Sequence, residues 1–558
     1  MVLLSIIVVM YITEVISPSK TGKTYRSILL RESYRENGKV KNRTLANLSR
    51  CKPQDIAAIK LALEHKDDLT VLTSIGDSVE LQEGSSIGAV WTVYQTARRL
   101  GLQEALGTSF HGKLALWQVI ARVMEQGSRL SAVRLARIHA ACDILQMQRG
   151  FDENDLYDNL KWLAEHQEKI EQRLLLSRRG GKKPELFFYD VTSSYLEGEN
   201  NQLAAYGYNR DKKQGKQQLV PGLLCDESGE PVSIEVFPGD ASDPSTVSSQ
   251  IRKVTQRFDC HRVTFVGDRG MIKKKQMEAL SAVSFYYITA ITKPQIRTLM
   301  NASIIKMDMF DEKVHEVIHE GIRYILRRNP HRAGEIAITR QQKRQSIEQL
   351  IQKENGYLRE HSRAEISRAL ERVNTKIGRL KVHPWLSVIA ASEDRALFLK
   401  VDETTLKRIS LLDGCYMVKS DLPESIADSQ TIHDRYTELS EVERAFRTCK
   451  TEHLELRPVY VQTEMSTRGH AFVVMLAYLI VRELRRRWCA LDMTVLEGLA
   501  QLSTLCAMEM KVKGQGTYLR IPTPRQLSQK LLKTLDIQLP SVLTHKEIPV
   551  VTRKKLTK

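Results

Sequence analysis

Two short stretches of this sequence end a run of apolar residues on an aspartate. In ELFFYDVTSSYLEG, residues 185–198, four strand-forming residues lead into Asp190, and in RVTFVGDRGM, residues 262–271, a similar run leads into Asp268. An unpaired carboxylate inside a protein core costs several kcal/mol. Each aspartate is therefore the solvated end of a strand, a structural residue with hydrogen-bond partners, or a metal ligand.

The order of the predicted elements favours a metal site shared by the two aspartates. A strand over Leu186–Val191, a hairpin formed by residues 217–226 and 231–240, a helix over Pro244–Phe258, and the strand before Asp268 predict a mixed sheet flanked by helices. If the two strands are neighbours, the carboxylates repel each other unless they share a cation or a proton. Oxygen ligands favour Mg²⁺ or Mn²⁺, and two such ions promote phosphoryl transfer.

A third carboxylate is expected on the helix predicted over residues 434–450. Tyr436, Glu443 and Lys450 are spaced by seven and share one face of such a helix, and Arg447 lies one turn after Glu443. A carboxylate flanked by an aromatic ring, a guanidinium and an amine suits metal binding beside phosphates. The same spacing also describes an ordinary helix surface with a Glu–Arg pair.

The composition indicates a polyanionic partner. The chain has 558 residues and a formal net charge of +18, which indicates several domains and binding to nucleic acid or to an acidic membrane surface. Its eight cysteines form no CxxC pair, which argues against a zinc ribbon or a disulfide framework and favours reduced cytosolic thiols. The apolar runs at 1–12 and 471–481 are too short to span a bilayer, so no membrane association is expected. The first run predicts a strand unless Met10 is the true start.

Basic residues near the two aspartates are candidate DNA contacts. YGYNRDKKQGK, residues 206–216, combines them with aromatic rings, and MIKKKQ, residues 271–276, closely follows Asp268. The candidates are Arg210, Lys212, Lys213, Lys273 and Lys274. Exposed loops are the alternative interpretation. RELRRRW, residues 482–488, is the densest basic run and fits a solvated helix end equally well.

HEVIH, residues 315–319, matches the H-E-x-x-H zinc pattern. That pattern binds zinc only on a helix, where both histidines face one way. Here the residues that follow alternate as in a strand, so we expect no zinc site.

Three motifs in the order of the sequence resemble the DDE transposases of the insertion-sequence-4 type, and most closely the insertion-sequence-1634 group. The motifs are YDVTSSY, VGDRGM and YTELSEVERAFRTCK…LELRPVY…TRGHAFVVMLAYLI. That family carries Y-x2-R-x3-E-x6-K around its third acid. Tyr436, Glu443 and Lys450 match it, whereas Leu439 stands where arginine is expected and Arg447 is placed to substitute. Two further matches, Arg457 and His470, have no assigned role.

The resemblance implies an RNase H-like catalytic core in which Asp190, Asp268 and Glu443 bind Mg²⁺ or Mn²⁺, with two ions expected. It implies cleavage of DNA at the terminal inverted repeats of the element and strand transfer into target DNA. Tyr436 and Lys450 would contact the transposon end, with Arg447 in place of the missing arginine. A homodimer on DNA, in the bacterial cytoplasm at the nucleoid, is expected. The alternatives are a metal-dependent DNA nuclease of the same fold and a catalytically silent transposon-derived DNA-binding protein.

The expected organisation of the α/β chain has six parts. Residues 1–85 are a basic β-hairpin region around Asn37–Gly38 with possible DNA binding, and residues 86–184 are a helical domain that ends in a basic linker. The core has a first part at 185–295 and a second part at 431–500, with an insertion domain between them at 296–430. Residues 501–558 are a helical, basic tail. Within the insertion we expect two antiparallel helices that break at Asn355–Gly356 and a small separate core.

Overall fold

The structure is a computed structural model that forms two compact units. The described residues are 9–18, 24–36, 39–64, 79–198, 200–208, 210, 213, 215–391, 393–452, 454–457, 461–512, 516–543 and 548–553. The smaller unit comprises residues 1–85, 506–523 and 540–545, and the larger unit comprises the remainder. The predicted Asn37–Gly38 turn, Lys212, and the start at Met1 lie outside the described residues.

The smaller unit contains two sheets, of which the first is antiparallel. The first sheet is a meander of β1 (Val9–Pro18), β2 (Thr24–Glu36) and β3 (Lys39–Asn47), followed by α1 (Pro53–Glu64). The pairing of β2 with β3 runs to Glu36 opposite Lys39, as in the predicted hairpin. The second sheet combines β4 (Val79–Ser86) with β16 (Cys506–Val512), β17 (Gly516–Arg520) and β18 (Val542–Leu543).

The C-terminal region therefore differs from the helical tail predicted for 501–558. CAMEMKV, residues 506–512, alternates apolar and other residues in the period of a strand. This strand pairs with β17 in register, for example Met508 with Arg520. Its other neighbour is β4, which lies more than 400 residues earlier in the chain, so no local pattern marks the partner.

The larger unit begins with helices, as the apolar spacing predicts. They are α2 (Gly88–Arg99), α3 (Leu102–Leu106), α4 (Phe110–Met124), α5 (Arg129–Ile138), α6 (Ala141–Ile144) and α7 (Glu153–Arg179). The α7 helix starts at a capping box formed by Asp152 and Asp155 and ends at Gly180, which has a φ of 57°. Arg178 and Arg179 are thus in the last helical turn, and the predicted basic linker is shorter than expected.

The central sheet of the larger unit has the topology of an RNase H-like core. Its strands are β5 (Leu186–Val191), β6 (Ser194–Tyr195), β7 (Gln218–Asp226), β8 (Pro231–Phe237), β9 (Thr264–Gly267) and β10 (Tyr286–Ala290). Apart from the short β6, the order across the sheet is β8–β7–β5–β9–β10. β7 is antiparallel to both β5 and β8, whereas β5, β9 and β10 are parallel to one another.

Helices and buried aromatic residues hold this sheet together. α8 (Asp243–Arg252), which a π-helical turn at Lys253–Arg257 extends, connects β8 to β9, and α9 (Lys274–Ser281) connects β9 to β10. Phe187 stacks on Phe258 and contacts Phe265, and all three are buried. Strands that are covered on both faces read as continuous apolar runs, which is why the acids at their ends stand out.

The insertion extends the central sheet before it forms a core of its own. α10 (Lys293–Asn301) and a 3₁₀ turn (Met307–Met309) lead to β11 (His315–His319) and β12 (Ile322–Arg328), and β15 (Cys415–Ser420) lies between β12 and β10. Between β12 and β15 are the following elements: α11 (Pro330–Glu360), α12 (Ile366–Leu380), β13 (Leu386–Ala391), β14 (Ala396–Val401) and α13 (Glu403–Ser410). Ile347, Val373 and Trp385 belong to the separate core of this segment.

The predicted helix break at Asn355–Gly356 is wrong, because α11 continues through both residues. The Asn355 side chain accepts a hydrogen bond from the Leu397 N–H at 2.8 Å and donates to the Leu397 carbonyl at 2.9 Å. It therefore binds the backbone of β14 instead of ending its own helix. The second long helix of the insertion is α12, Ile366–Leu380.

The last part of the larger unit returns to the central sheet. It contains α14 (Ser429–Glu438), α15 (Ser440–Arg447), a π-helical turn (Thr448–Glu452), α16 (Glu464–Trp488), a 3₁₀ turn (Cys489–Leu491), α17 (Val495–Ser503) and α18 (Gln526–Thr534). The single helix predicted over 434–450 is thus divided at Leu439 and again at Thr448. The apolar run at 471–481 is buried within α16, and no helix of the described residues is long and apolar enough to span a membrane.

Candidate active site

The two aspartates lie at the carboxyl ends of two neighbouring strands in the central sheet. Asp190 is the penultimate residue of β5, and Asp268 follows the last residue of β9. The parallel register pairs Tyr189 with Gly267, so the two acids occupy equivalent positions on neighbouring strands. Asp190 is half-buried and Asp268 is exposed. The sheet therefore brings these predicted residues together.

The third predicted acid reaches the same place from α15. Val442, Ala445 and Phe446 are the buried face of this helix, which contacts β5 and β7, while Glu443 is exposed. The pKa of Asp190 is raised to about 7, mainly by burial and in smaller part by the negative charges of Asp268 and Glu443. The three carboxylates thus act on one another electrostatically.

None of the three acids forms an ion pair with another described residue. Asp190 accepts a hydrogen bond from the Val191 N–H at 2.8 Å, and Asp268 accepts one from the Arg269 N–H at 2.7 Å. An all-oxygen donor set without a partner cation fits Mg²⁺ or Mn²⁺. In the present arrangement, no three His, Cys, Asp or Glu side chains of the described chain are close enough to hold one ion. Ligation by all three acids therefore requires movement of exposed side chains such as that of Glu443.

Tyr436 and Lys450 also lie near these strand ends, although the helix between them is not continuous. The Tyr436 hydroxyl, at the end of α14, donates to Asp268 Oδ1 at 3.3 Å. Burial raises the pKa of Tyr436, and the charge of Asp268 adds to the effect. The π-helical turn carries Lys450, whose buried Nζ donates to Thr192 Oγ1 at 3.1 Å, two residues after Asp190. The spacing of seven residues therefore predicts correctly that Tyr436 and Lys450 lie near the aspartates. The single continuous helix assumed for that prediction is not present.

The other candidate DNA contacts have mixed surroundings. Lys273 and Lys274 are exposed at the start of α9, and Arg447 is exposed at the end of α15. Arg210 forms an ion pair with Asp243, and its backbone N–H donates to Ser193 Oγ at 2.9 Å. These residues lie within or next to elements that carry the acids, and their contact with DNA stays a prediction.

Lys213 lies beside an aromatic ring that follows the first acid. Its Nζ is 5.6 Å from the centroid of the Tyr195 ring, and the Arg457 guanidinium is 4.5 Å from the same centroid. Tyr206 and Tyr208, in the same segment as Lys213, are strongly exposed. The segment therefore presents rings and cations together, as its sequence predicts.

HEVIH lies in a strand, although its own residues are equally compatible with a short helix. His315 and His319 are the first and last residues of β11, which is at the edge of the central sheet. Four residues of strand separate them by about 13 Å. The two side chains cannot bind one zinc ion.

Sequence reasoning missed a buried group of cations in the helical region. His470 is buried, and its Nδ1 lies 3.3 Å from Nη2 of Arg129, which is also buried. Arg122 lies beside them, and burial is the largest cause that lowers the pKa of both arginines. No motif marks Arg122 or Arg129, whose sequence distance from His470 exceeds 300 residues.

Comparisons with known proteins agree with the motifs. The family model for the transposase DDE domain matches residues 181–480, and the model for the N-terminal domain of the IS1634 family transposases matches residues 15–70. No curated protein matches the chain. Among solved structures, a piggyBac transposase in a synaptic complex with hairpin DNA is a weak match, with a TM-score of 0.34 and 7% identity, covering 70% of this chain and 69% of that one.

Proposed function

Because this chain belongs to the DDE transposases, in their IS1634-type group, and acts on DNA as a transposase, we propose that Asp190, Asp268 and Glu443 are its catalytic, metal-binding acids. The observation that carries the proposal is that two aspartates at neighbouring strand ends and a helical glutamate interact electrostatically, and none of them forms an ion pair with a described residue, although the charge of Arg210 lowers the pKa of Asp190. Acids arranged in this way need a cation or a shared proton, and oxygen ligands favour Mg²⁺ or Mn²⁺.

The family implies dependence on a divalent metal, and we assign Mg²⁺ or Mn²⁺, with two ions. Bound ions of this kind activate an attacking oxygen and stabilise a leaving oxygen at phosphorus. The chain itself orients the acids: the Val191 N–H holds Asp190, and the Tyr436 hydroxyl holds Asp268. Tyr436 and Lys450 then contact the transposon end from either side of Glu443.

The reaction is cleavage at the terminal inverted repeats followed by strand transfer. Cleavage adds water across a phosphodiester and leaves a 3′-hydroxyl. Strand transfer makes a bond from that hydroxyl to a target phosphate while one target phosphodiester breaks, so no external energy source is needed. The basic groups suited to the DNA backbone are Arg210, Lys212, Lys213, Lys273, Lys274 and Arg447. Joining two ends to one target favours a homodimer on DNA, and we place the reaction at the bacterial nucleoid in the cytoplasm.

Cleavage of a labelled DNA that carries the flanking terminal repeats tests the proposal. Wild-type protein with Mg²⁺ or Mn²⁺ should produce 3′-hydroxyl ends and joined products, and Glu443→Gln should produce neither while it still binds the ends. Glu441→Gln is the matched control, because Glu441 lies in the same helix and pairs with Arg444 at 2.8 Å. Loss of cleavage in both variants would contradict the assignment of Glu443. Cleavage without joining would identify a nuclease, and binding without cleavage would identify a silent DNA-binding protein.

A further inference from the structure

A small cavity in the larger unit is lined mainly by hydrogen-bond donors. Its volume is about 80 Å³, several times the 10–15 Å³ or so that a single water needs. Arg122 at the end of α4, Arg129 at the start of α5, His470 in α16 and Arg457 lie on its walls. We call this the arginine pocket. Gln126, which also lines it, is exposed, so the pocket opens to solvent.

The two inner arginines of the pocket have only neutral hydrogen-bond partners. Arg122 and Arg129 are 6% and 5% exposed, and neither forms an ion pair with a described residue. Arg129 donates to Gln118 Oε1, and Arg122 donates to the Gly127 carbonyl at 2.8 Å. Burial lowers the pKa of Arg129 to about 9, and the neighbouring charge of Arg122 adds to the effect. Buried cations normally have anionic partners, so this arrangement favours an anion.

His470 supplies a further donor. Because a guanidinium can only donate, the contact of 3.3 Å between Arg129 Nη2 and His470 Nδ1 makes Nδ1 the acceptor. The ring proton is then on Nε2, which is buried and has no hydrogen-bond partner of normal geometry among the described residues. The Leu456 backbone is close enough to raise the pKa of His470, but burial and the two arginines lower it well below its usual value. The Nε2–H is therefore a buried donor of a residue that lines the pocket.

One carboxylate lines the arginine pocket and does not balance its charge. Glu455 forms an ion pair with Arg457 at 3.4 Å, and Arg457 also pairs with Glu197 at 3.6 Å outside the pocket lining. The charges of Glu455 and of the neighbouring Glu125 raise the pKa of Arg122, but burial outweighs them. Burial also raises the pKa of Glu455. Arg122 and Arg129 are thus the two lining arginines without an ion pair among the described residues.

The route from the acids to the arginine pocket passes one aromatic ring. Tyr195 follows Asp190 by five residues, and its ring contacts both Lys213 and Arg457. Arg457 is 21% exposed at its side chain, so it connects this surface with the buried arginines. A DNA strand that crosses the acids and stacks or lies along Tyr195 would bring a phosphate to the pocket.

We propose that the arginine pocket binds one phosphate group of the transposon-end DNA and so fixes the position of the strand relative to Asp190. This inference rests on the proposed function, since it takes DNA as the substrate at the acids. Forked guanidinium donors and an imidazole N–H are groups that bind phosphate oxygens. Free phosphate has the same chemistry, and the test separates the two sources.

The test is a scan of DNA binding in the absence of divalent metal. Each phosphate near the cleavage position is replaced in turn by a neutral methylphosphonate, and binding to the full chain is measured for wild type, Arg457→Gln and Arg468→Gln. Arg468 is the matched control, because it precedes His470 by two residues and pairs with Glu464 at 2.8 Å. Arg457→Lys, which keeps the charge and loses the fork, replaces Arg457→Gln if that variant does not fold.

We expect one position at which the neutral phosphate weakens binding about tenfold in wild type and in Arg468→Gln, but less than about twofold in Arg457→Gln. Arg457→Gln should also lower the slope of log affinity against log salt by about 1. If no position distinguishes Arg457→Gln from the control, the proposal is overturned. A rise in thermal stability with inorganic phosphate that Arg457→Gln abolishes, without such a position, would assign the pocket to free phosphate instead and overturn the DNA assignment.

The outcome is independent of catalysis because binding is measured without metal. Failure of cleavage by wild type with an intact phosphate effect would count against the proposed catalytic acids only. Cleavage with no phosphate effect would count against the arginine pocket only.

Discussion

The central sheet carries two groups of acids at opposite ends of the β5–β7 pair, and their surroundings differ. Asp190 lies at the end of β5 that faces Asp268, whereas Asp226 is opposite Phe187 near the start of β5. The second group, which we call the paired acids, comprises Asp226, Glu227 and Glu230. Arg179 pairs with the first two of these, and Arg178 and Arg482 each contact the third at 2.6 Å.

This difference separates acids that the protein neutralises itself from acids that it leaves without an ion pair. Asp226 is the last residue of an apolar strand and Asp190 is the penultimate residue of another, so position alone does not distinguish them. Arginines supplied by α7 and α16 neutralise the paired acids, and that charge is satisfied within the protein. At Asp190, Asp268 and Glu443, no ion pair with a described residue does so. The second arrangement suits a ligand that brings positive charge.

The largest expected effect is on the rate of DNA cleavage, and it should appear in only one of the two groups of acids. Asp268→Asn should lower the rate of DNA cleavage at least about a thousandfold, equivalent to about 4 kcal/mol in the barrier. Asp226→Asn should leave the rate per folded molecule unchanged, because it lies at the other end of the strands. Single-turnover cleavage of labelled ends measures both. Comparable losses in both variants would remove the distinction drawn here.

The next largest effect is on the stability of the paired acids. Arg179→Gln should lower the free energy of unfolding by about 3 kcal/mol, because it leaves two carboxylates, one of them nearly buried, without their partner. Urea unfolding measures the change. Arg435→Gln removes an exposed pair with Glu438 and should cost less than about 0.5 kcal/mol. If the two variants are equally stable, the pairing at Arg179 contributes nothing.

A smaller effect is expected from the metal itself. At ten times its dissociation constant, Mg²⁺ should stabilise the wild-type chain by about 1.4 kcal/mol. The double variant Asp190→Asn with Asp268→Asn should show no such gain, since it loses two of the three anionic ligands. Thermal denaturation in MgCl₂ against KCl of equal ionic strength measures this. An equal gain in the double variant would show that the ion binds elsewhere.

The smallest effect has opposite signs in the two groups of acids. In EDTA, Asp190→Asn should raise the stability by about 1 kcal/mol or less, because it removes one of three mutually repelling charges. Burial and the charges of Glu230 and Glu227 raise the pKa of Asp226 too, but Asp226→Asn should lower the stability under the same conditions, because it removes a carboxylate that Arg179 binds and that two backbone N–H groups donate to. Urea unfolding in EDTA gives both signs. A loss of stability in Asp190→Asn would argue for a structural role there.

The sequence predicts where the two aspartates lie in the sheet because local patterns determine those positions. Apolar runs that end on Asp190 and Asp268 identify buried strands and their exposed ends, and the parallel pairing follows from the order of elements. The spacing of Tyr436, Glu443 and Lys450 identifies neighbours, yet it conceals the break at Leu439 and the π-helical turn, because helices of different types bring the same residues to one edge.

Local sequence patterns do not predict contacts between residues that are far apart in the chain. Residues 506–512 alternate with the period of a strand, but this pattern does not indicate that β4 is the neighbouring strand. The arginine pocket joins Arg122 and Arg129 to His470 across two separate helical regions, and none of these positions is unusual in its own surroundings. Their chemistry becomes visible only when burial and partners are known.

The register of β12 and β15 has a consequence for how such chains diverge. Arg328 is opposite Cys415, and the Asn329 N–H donates to the Gly414 carbonyl at 2.9 Å, so everything from 329 to 414 leaves the sheet and returns at one point. The segment is an insertion between two paired strands, and a tight turn could replace it without shifting α15. The number of residues that separate the second acid from the third is therefore free to drift between relatives, while the distance between the two side chains is not.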